Sequence, residues 1–146
     1  MSTKKVAEDR GLKLLKVGDE ASFEHTISLD EVARFAELSG DHSPLHIDAE
    51  FAKEMGHRDV VVHGMFLGAL VSRLVGMRLP GKRALWMQES LKFKSPVYSG
   101  DTVRITGAIV AKSDAARLIE LKILISVGQA TVAEGSAHVR ILPDSQ

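Results

Sequence analysis

The sequence predicts an α+β domain in which one antiparallel sheet wraps a single apolar helix. Three observations carry that prediction. Residues 64–77, GMFLGALVSRLVGM, form a run of helical length that is apolar nearly all round, so this helix belongs inside. The second half of the chain changes to a period of two, with Ile119, Leu121, Ile123 and Ile125 on one strand face and Ala133, Ala137, Val139 and Ile141 on another. Both strands have one apolar face, which needs one apolar partner, and the helix supplies it. A chain of 146 residues that is 45% hydrophobic has room for one such core.

The elements follow in order. Residues 1–16 read as a loosely held arm dominated by Lys4, Lys5, Arg10, Lys13 and Lys16, and residues 17–146 as the domain. A strand over Ala21–Ser28 alternates Phe23, His25 and Ile27 with polar or small residues. Ser28-Leu29-Asp30-Glu31 matches a capping box, in which Ser28 and Glu31 satisfy unpaired N–H groups at a helix start. Leu29, Val32, Phe35, Ala36 and Leu38 then recur at helical spacing, up to a stop at Ser39-Gly40.

Residues 41–46 read as a loop stiffened by Pro44, and Asp48–Met55 as a short helix ending at Gly56. After the long helix, a strand over Leu85–Val97 contains Leu91-Lys92-Phe93-Lys94, apolar alternating with basic. Val103, Ile105 and Ile109 begin a three-stranded meander with turns at Lys112–Ala115 and Val127–Gly128. The small residues Ala133, Gly135 and Ala137 are expected to let the helix lie close to the sheet. An edge or face of this one-layered sheet is left for self-association.

Composition removes several function classes. The 19 basic and 19 acidic side chains cancel, so the chain lacks the positive field of nucleic-acid or membrane-surface binding, and neither partner is expected. With no cysteine there is no disulfide, thiolate nucleophile or cysteine-bound metal. The N-terminus has no apolar signal core, and the longest apolar stretch, residues 60–75, is interrupted by His63, Ser72 and Arg73. A cytoplasmic protein is expected.

Two segments carry chemistry. Asp41 and His46 lie five residues apart on the proline-stiffened loop, where a carboxylate and an imidazole can share one cleft and move protons near neutral pH. The bland alternative is that Asp41 caps the next helix and His46 bonds to backbone. The second segment is Val61-Val62-His63-Gly64. The first N–H groups of a helix lack partners, and Gly64 has no side chain to block a ligand, so this point suits a developing oxyanion. Here the alternative is an ordinary helix entry with a packing glycine. His42 and His46, with Asp41, Asp48, His57 and His63 nearby, raise the question of a metal. Pro44 breaks any helix that would align the two histidines, so no metal is expected. His25 and His138 read as ordinary strand residues. Arg73 is expected to pair with a carboxylate or reach solvent, and Lys82, Arg83, Lys92 and Lys94 read as solvated charge.

The runs FAELSGDHSPLHIDAEFA, VVHGMFLGALVSRLVG and LKFKSPVYSGD, in that order, resemble the MaoC-like hot-dog proteins, and among them the (R)-specific enoyl-CoA hydratases. The resemblance spans Ala21 to Ile141. It implies the hot-dog fold, an antiparallel sheet of about five strands around a long helix, assembled as a homodimer or a dimer of dimers. It also implies reversible addition of water to trans-2-enoyl thioesters of CoA or acyl carrier protein, a hydro-lyase reaction needing no cofactor. On this likeness Asp41 and His46 are the catalytic pair and the Gly64 N–H binds the thioester oxygen, with Ser72, Ser43 and His63 in support. Ser43 stands where the family pattern has asparagine; it is shorter and lacks the amide's paired donors, so a less firmly held loop is expected. Two other activities fit the same fold: thioester hydrolysis, and acyl-thioester binding without turnover.

Overall fold

The computed structural model describes residues 6–144. Five strands, β1 (Glu20–Thr26), β2 (Ala84–Phe93), β3 (Thr102–Ser113), β4 (Leu118–Val127) and β5 (Ala130–Ile141), form one sheet in the order β1-β3-β4-β5-β2. Every pairing is antiparallel, and β3, β4 and β5 are the expected meander. Their inward residues, among them Ile105, Ile109, Leu121, Ile123, Ile125 and Val139, are almost fully buried. Four helices accompany the sheet: α1 (Leu29–Ser39), α2 (Pro44–Ile47), α3 (Ala49–Glu54) and α4 (Gly64–Met77). α4 fills the concave face through Leu67, Leu70, Val71, Leu74 and Val75.

Local signals set the ends of α1. Ser28 accepts from the Glu31 N–H, and Glu31 accepts from the Ser28 N–H, so the capping box is complete. Gly40 closes the helix at φ 78°, a left-handed conformation that costs glycine little.

Several expectations change. Of the arm, residues 1–5 lie outside the described residues. Residues 6–16 are not loosely held, because Leu15 is fully buried and Leu12 nearly so in the common core, around a 3-10 turn at Leu12–Leu14. The lysine-rich composition hid two leucines whose burial holds the segment. Strand β2 stops at Phe93, since Ser95-Pro96 cannot continue it, and Lys94–Val97 run on beside α4. The expected loop at 41–46 contains a helical turn, because Pro44 occupies the first helical position, where its missing N–H costs nothing. The single helix over Asp48–Met55 is shorter, with Asp48 outside as its cap.

α4 is not buried all round. Met65, Ala69 and Ser72 form an exposed stripe, since nothing within the chain covers that side. Gly135 does not make room for the helix. A Cβ there would lie 1.6 Å from the Ser90 carbonyl oxygen, so it serves the approach of the β2 backbone. The glycine that admits α4 is Gly107 on β3, where a Cβ would meet Leu74 Cδ2 at 2.5 Å.

Candidate active site

The site lies where α1, α2 and the start of α4 converge. Asp41 follows the Gly40 cap, and its backbone N–H donates to Ser39 Oγ at 3.1 Å. Its Oδ1 accepts from the Ser43 N–H at 3.1 Å, a local side-chain-to-backbone turn that fixes the carboxylate. Asp41 does not cap α3, because Asp48 does so by accepting from the N–H groups of Glu50 and Phe51. Asp41 Oδ2 faces His46 Nε2 at 3.7 Å. That separation exceeds a direct hydrogen bond, and one water placed beside the two atoms can bond to both. Asp41 is half exposed here, whereas His46 is mostly covered.

One contact settles the imidazole's orientation. His46 Nδ1–H donates to the Val61 carbonyl at 2.6 Å, leaving Nε2 as the nitrogen that faces the carboxylate. His63 is the one buried polar side chain among the described residues, at 2% exposure. Its ring stacks on His46, with centroids 3.9 Å apart and planes 21° from parallel, and its Nε2–H donates to the Asp41 carbonyl at 2.9 Å. The Phe35 ring packs against it at a tilt, with centroids 4.9 Å apart. His63 thus holds the backbone of one member of the pair and the ring of the other. The sequence placed it beside Gly64 but gave no sign of this double contact.

His46 and Gly64 open onto the same cleft of about 350 Å³, with Leu67, Phe93 and Lys94 among the residues lining it. His63 gives α4 no side-chain cap, so its leading N–H groups remain available at the cleft. A Cβ on Gly64 would come within 3.0 Å of the Phe93 ring, so only glycine leaves this approach open. The larger groove of about 510 Å³ lies on the outer face of the sheet, around Lys112, Glu120 and His138, away from this chemistry.

The other named residues are placed as follows. Ser43 supplies backbone groups only: its N–H goes to Asp41, its carbonyl accepts from the His46 N–H, and its side chain caps nothing. Ser72 is exposed on α4, two turns and about 12 Å along the axis from Gly64, and so is not brought to the pair within this chain. Arg73 pairs with no carboxylate among the described residues; its guanidinium lies over the Phe23 ring at 4.2 Å. His25 bonds Glu31, His138 bonds Gln88, and Lys94 pairs with Glu134.

Asp41, His46 and His63 bring one potential ligand atom each within 4.8 Å of one another. The donor set suits proton transfer better than a metal. The two ring planes are only 21° apart and do not converge on a point about 2 Å from both remaining nitrogens, His46 Nε2 and His63 Nδ1.

The MaoC like domain family matches residues 15–129. This chain is a member of that family. It is 38% identical over 128 residues to an (R)-specific enoyl-CoA hydratase of Aeromonas caviae, covering 87% of this chain and 96% of that one. It is 34% identical over 127 residues to the (R)-specific enoyl-CoA hydratase of Rhodospirillum rubrum, covering 87% and 88%. The solved (R)-hydratase from A. caviae, involved in PHA biosynthesis, superposes with a TM-score of 0.84 over 88% of this chain and 98% of that one, at 38% identity. The sheet and helix described above are accordingly the hot-dog fold of the MaoC-like proteins.

Proposed function

We propose that this protein is an (R)-specific enoyl-CoA hydratase, a hydro-lyase that adds water reversibly to trans-2-enoyl thioesters. One observation carries the reading: Asp41 Oδ2 and His46 Nε2 face each other at 3.7 Å, and His46 shares its cleft with the Gly64 amide. Relatives of that name, similar over most of their length, support it.

In the hydration direction one water bonds to both Asp41 Oδ2 and His46 Nε2. Asp41 takes a proton from it as its oxygen attacks C3 of the enoyl group. The charge that moves onto the thioester oxygen is met by the Gly64 N–H and the positive end of α4. The proton taken from water passes from Asp41 to His46 Nε2, since Nδ1–H stays on the Val61 carbonyl. His46 then delivers it to C2, which restores both groups. No step requires a bound cofactor or metal. Pairing of two copies along the β2 edge, as a homodimer or dimer of dimers, and a cytoplasmic setting belong to the same reading. No described helix is long and apolar enough to cross a membrane.

The test is hydration of crotonyl-CoA, followed by loss of the conjugated enoyl-thioester absorbance and by chiral analysis of the 3-hydroxy product. Asp41→Asn keeps the shape and removes the base, so kcat is expected to fall by about 10²- to 10⁴-fold with the circular dichroism unchanged. Full turnover in that variant overturns the assignment. Release of free thiol in place of hydration would point to a thioesterase, and tight binding without turnover to a carrier module.

A further inference from the structure

Strand β2 carries one carboxyl on an otherwise apolar inward row. Trp86, Glu89, Leu91 and Phe93 face Val139, Ala137, Gly135 and Ala133 of β5 across the register, and Val139, Ala137 and Ala133 are fully buried. Glu89 therefore turns toward α4. Its Oε2 lies 3.7 Å from where a Cβ on Gly68 would stand, with the Met65 thioether beside it. Its Oε1 is buried and has no hydrogen-bond partner among the described residues. Burial pushes its pKa up, and no charged neighbour acts on it. Asp9, Glu31 and Glu134, by contrast, are held low with the help of basic partners. Arg73 on α4 rests on Phe23, and Lys94 after β2 pairs with Glu134, so each of these cations is engaged elsewhere.

The position of this carboxyl gives it a use. Phe93, on the same row, closes over Gly64, and Glu89 meets Gly68 one helical turn further on. An acyl group whose thioester oxygen rests on the Gly64 N–H, with its tail following α4, reaches Glu89 after about 6 Å, roughly five carbons. A hydrocarbon tail at that depth leaves the carboxyl stripped of water and unpaired. A tail that ends earlier, or one that carries a hydroxyl or carbonyl oxygen there, does not.

We propose that Glu89 is a specificity-determining residue on the acyl path, favouring short acyl groups, and longer ones with a hydrogen-bonding oxygen, over plain hydrocarbon tails. The proposal rests on the hydratase reading. It is tested by kcat/KM for crotonyl-CoA, trans-2-octenoyl-CoA and 6-hydroxy-trans-2-hexenoyl-CoA with wild type, Glu89→Leu and Glu89→Gln. Glu89→Leu is expected to raise the octenoyl-to-crotonyl ratio about tenfold or more and to lower the hydroxyhexenoyl-to-octenoyl ratio. Glu89→Gln keeps a donor and an acceptor, so its ratios should stay near those of the wild type. Unchanged ratios in Glu89→Leu overturn the proposal.

The same three proteins are titrated calorimetrically with butyryl-CoA and octanoyl-CoA, which needs no turnover. If wild type hydrates nothing, the hydratase reading fails, and the affinity ratio of these saturated ligands still decides the role of Glu89. Absence of binding to either thioester overturns both.

Discussion

His63 does two jobs that its neighbours cannot share. Its Nε2–H satisfies the Asp41 carbonyl, and its ring supports the His46 ring, so both halves of the pair depend on one buried side chain. A substitution that keeps an aromatic plane and removes the donor separates those jobs. In His63→Phe the stack survives, and the Asp41 carbonyl loses its partner. The loop should shift by a fraction of an ångström, enough to lower kcat about tenfold or more while KM for crotonyl-CoA changes little. Steady-state kinetics on the purified variant, with a melting curve to show that it folds, reads this directly. Equal loss in kcat and in thermal stability would reduce His63 to a packing residue. Ser43 sits at the same scale. Only its backbone groups hold the loop, through its N–H on Asp41 Oδ1 and its carbonyl on the His46 N–H.

Among elements, β2 is the exacting one, because it joins the sheet only at β5 and carries Phe93 and Glu89 toward α4. Its backbone comes so close to β5 at Gly135 that a methyl group would fall on the Ser90 carbonyl. Such a clash is relieved only by moving one strand, unlike a clash with a flexible side-chain end. Gly135→Ala should therefore cost about 3 kcal/mol or more. It should also expose β2 amides to hydrogen exchange before those of β3 and β4. A melting temperature within a degree of the wild type would show that the strands have slack there. Helix α1 is self-specified by comparison, with both of its ends set by residues adjacent in the chain.

At the scale of the molecule, one sheet covers one helix and leaves a side of each open. Leu85, Met87 and Phe93 on β2 and Met65 on α4 are each about half exposed or more, along the free edge of the sheet. An edge strand with this much apolar surface is a template for pairing with a second copy. Light scattering at micromolar concentration is expected to give twice the chain mass. The double variant Leu85→Lys, Met87→Lys is expected to give the monomer mass. A monomeric wild type would remove the homodimer from the proposal.

Local chemistry let the sequence determine a good deal. The capping box, the Gly40 stop, the start and end of α4 and the meander all follow from residues a few positions apart, and the structure keeps each of them. The residue types at the site were legible too, since Asp41, His46 and Gly64 stand in patterns that chemistry and family likeness both pick out. Directions and distances were not. Asp41 turns to His46 with its other oxygen held by the Ser43 N–H, and the His46 nitrogen that faces it is set by the Val61 carbonyl, fifteen residues away. The stacking of His63, the burial of Leu15, the clearance at Gly107 and the isolation of Glu89 arise between segments far apart in the chain. No periodicity records them, because only packing the sheet around the helix brings those atoms together.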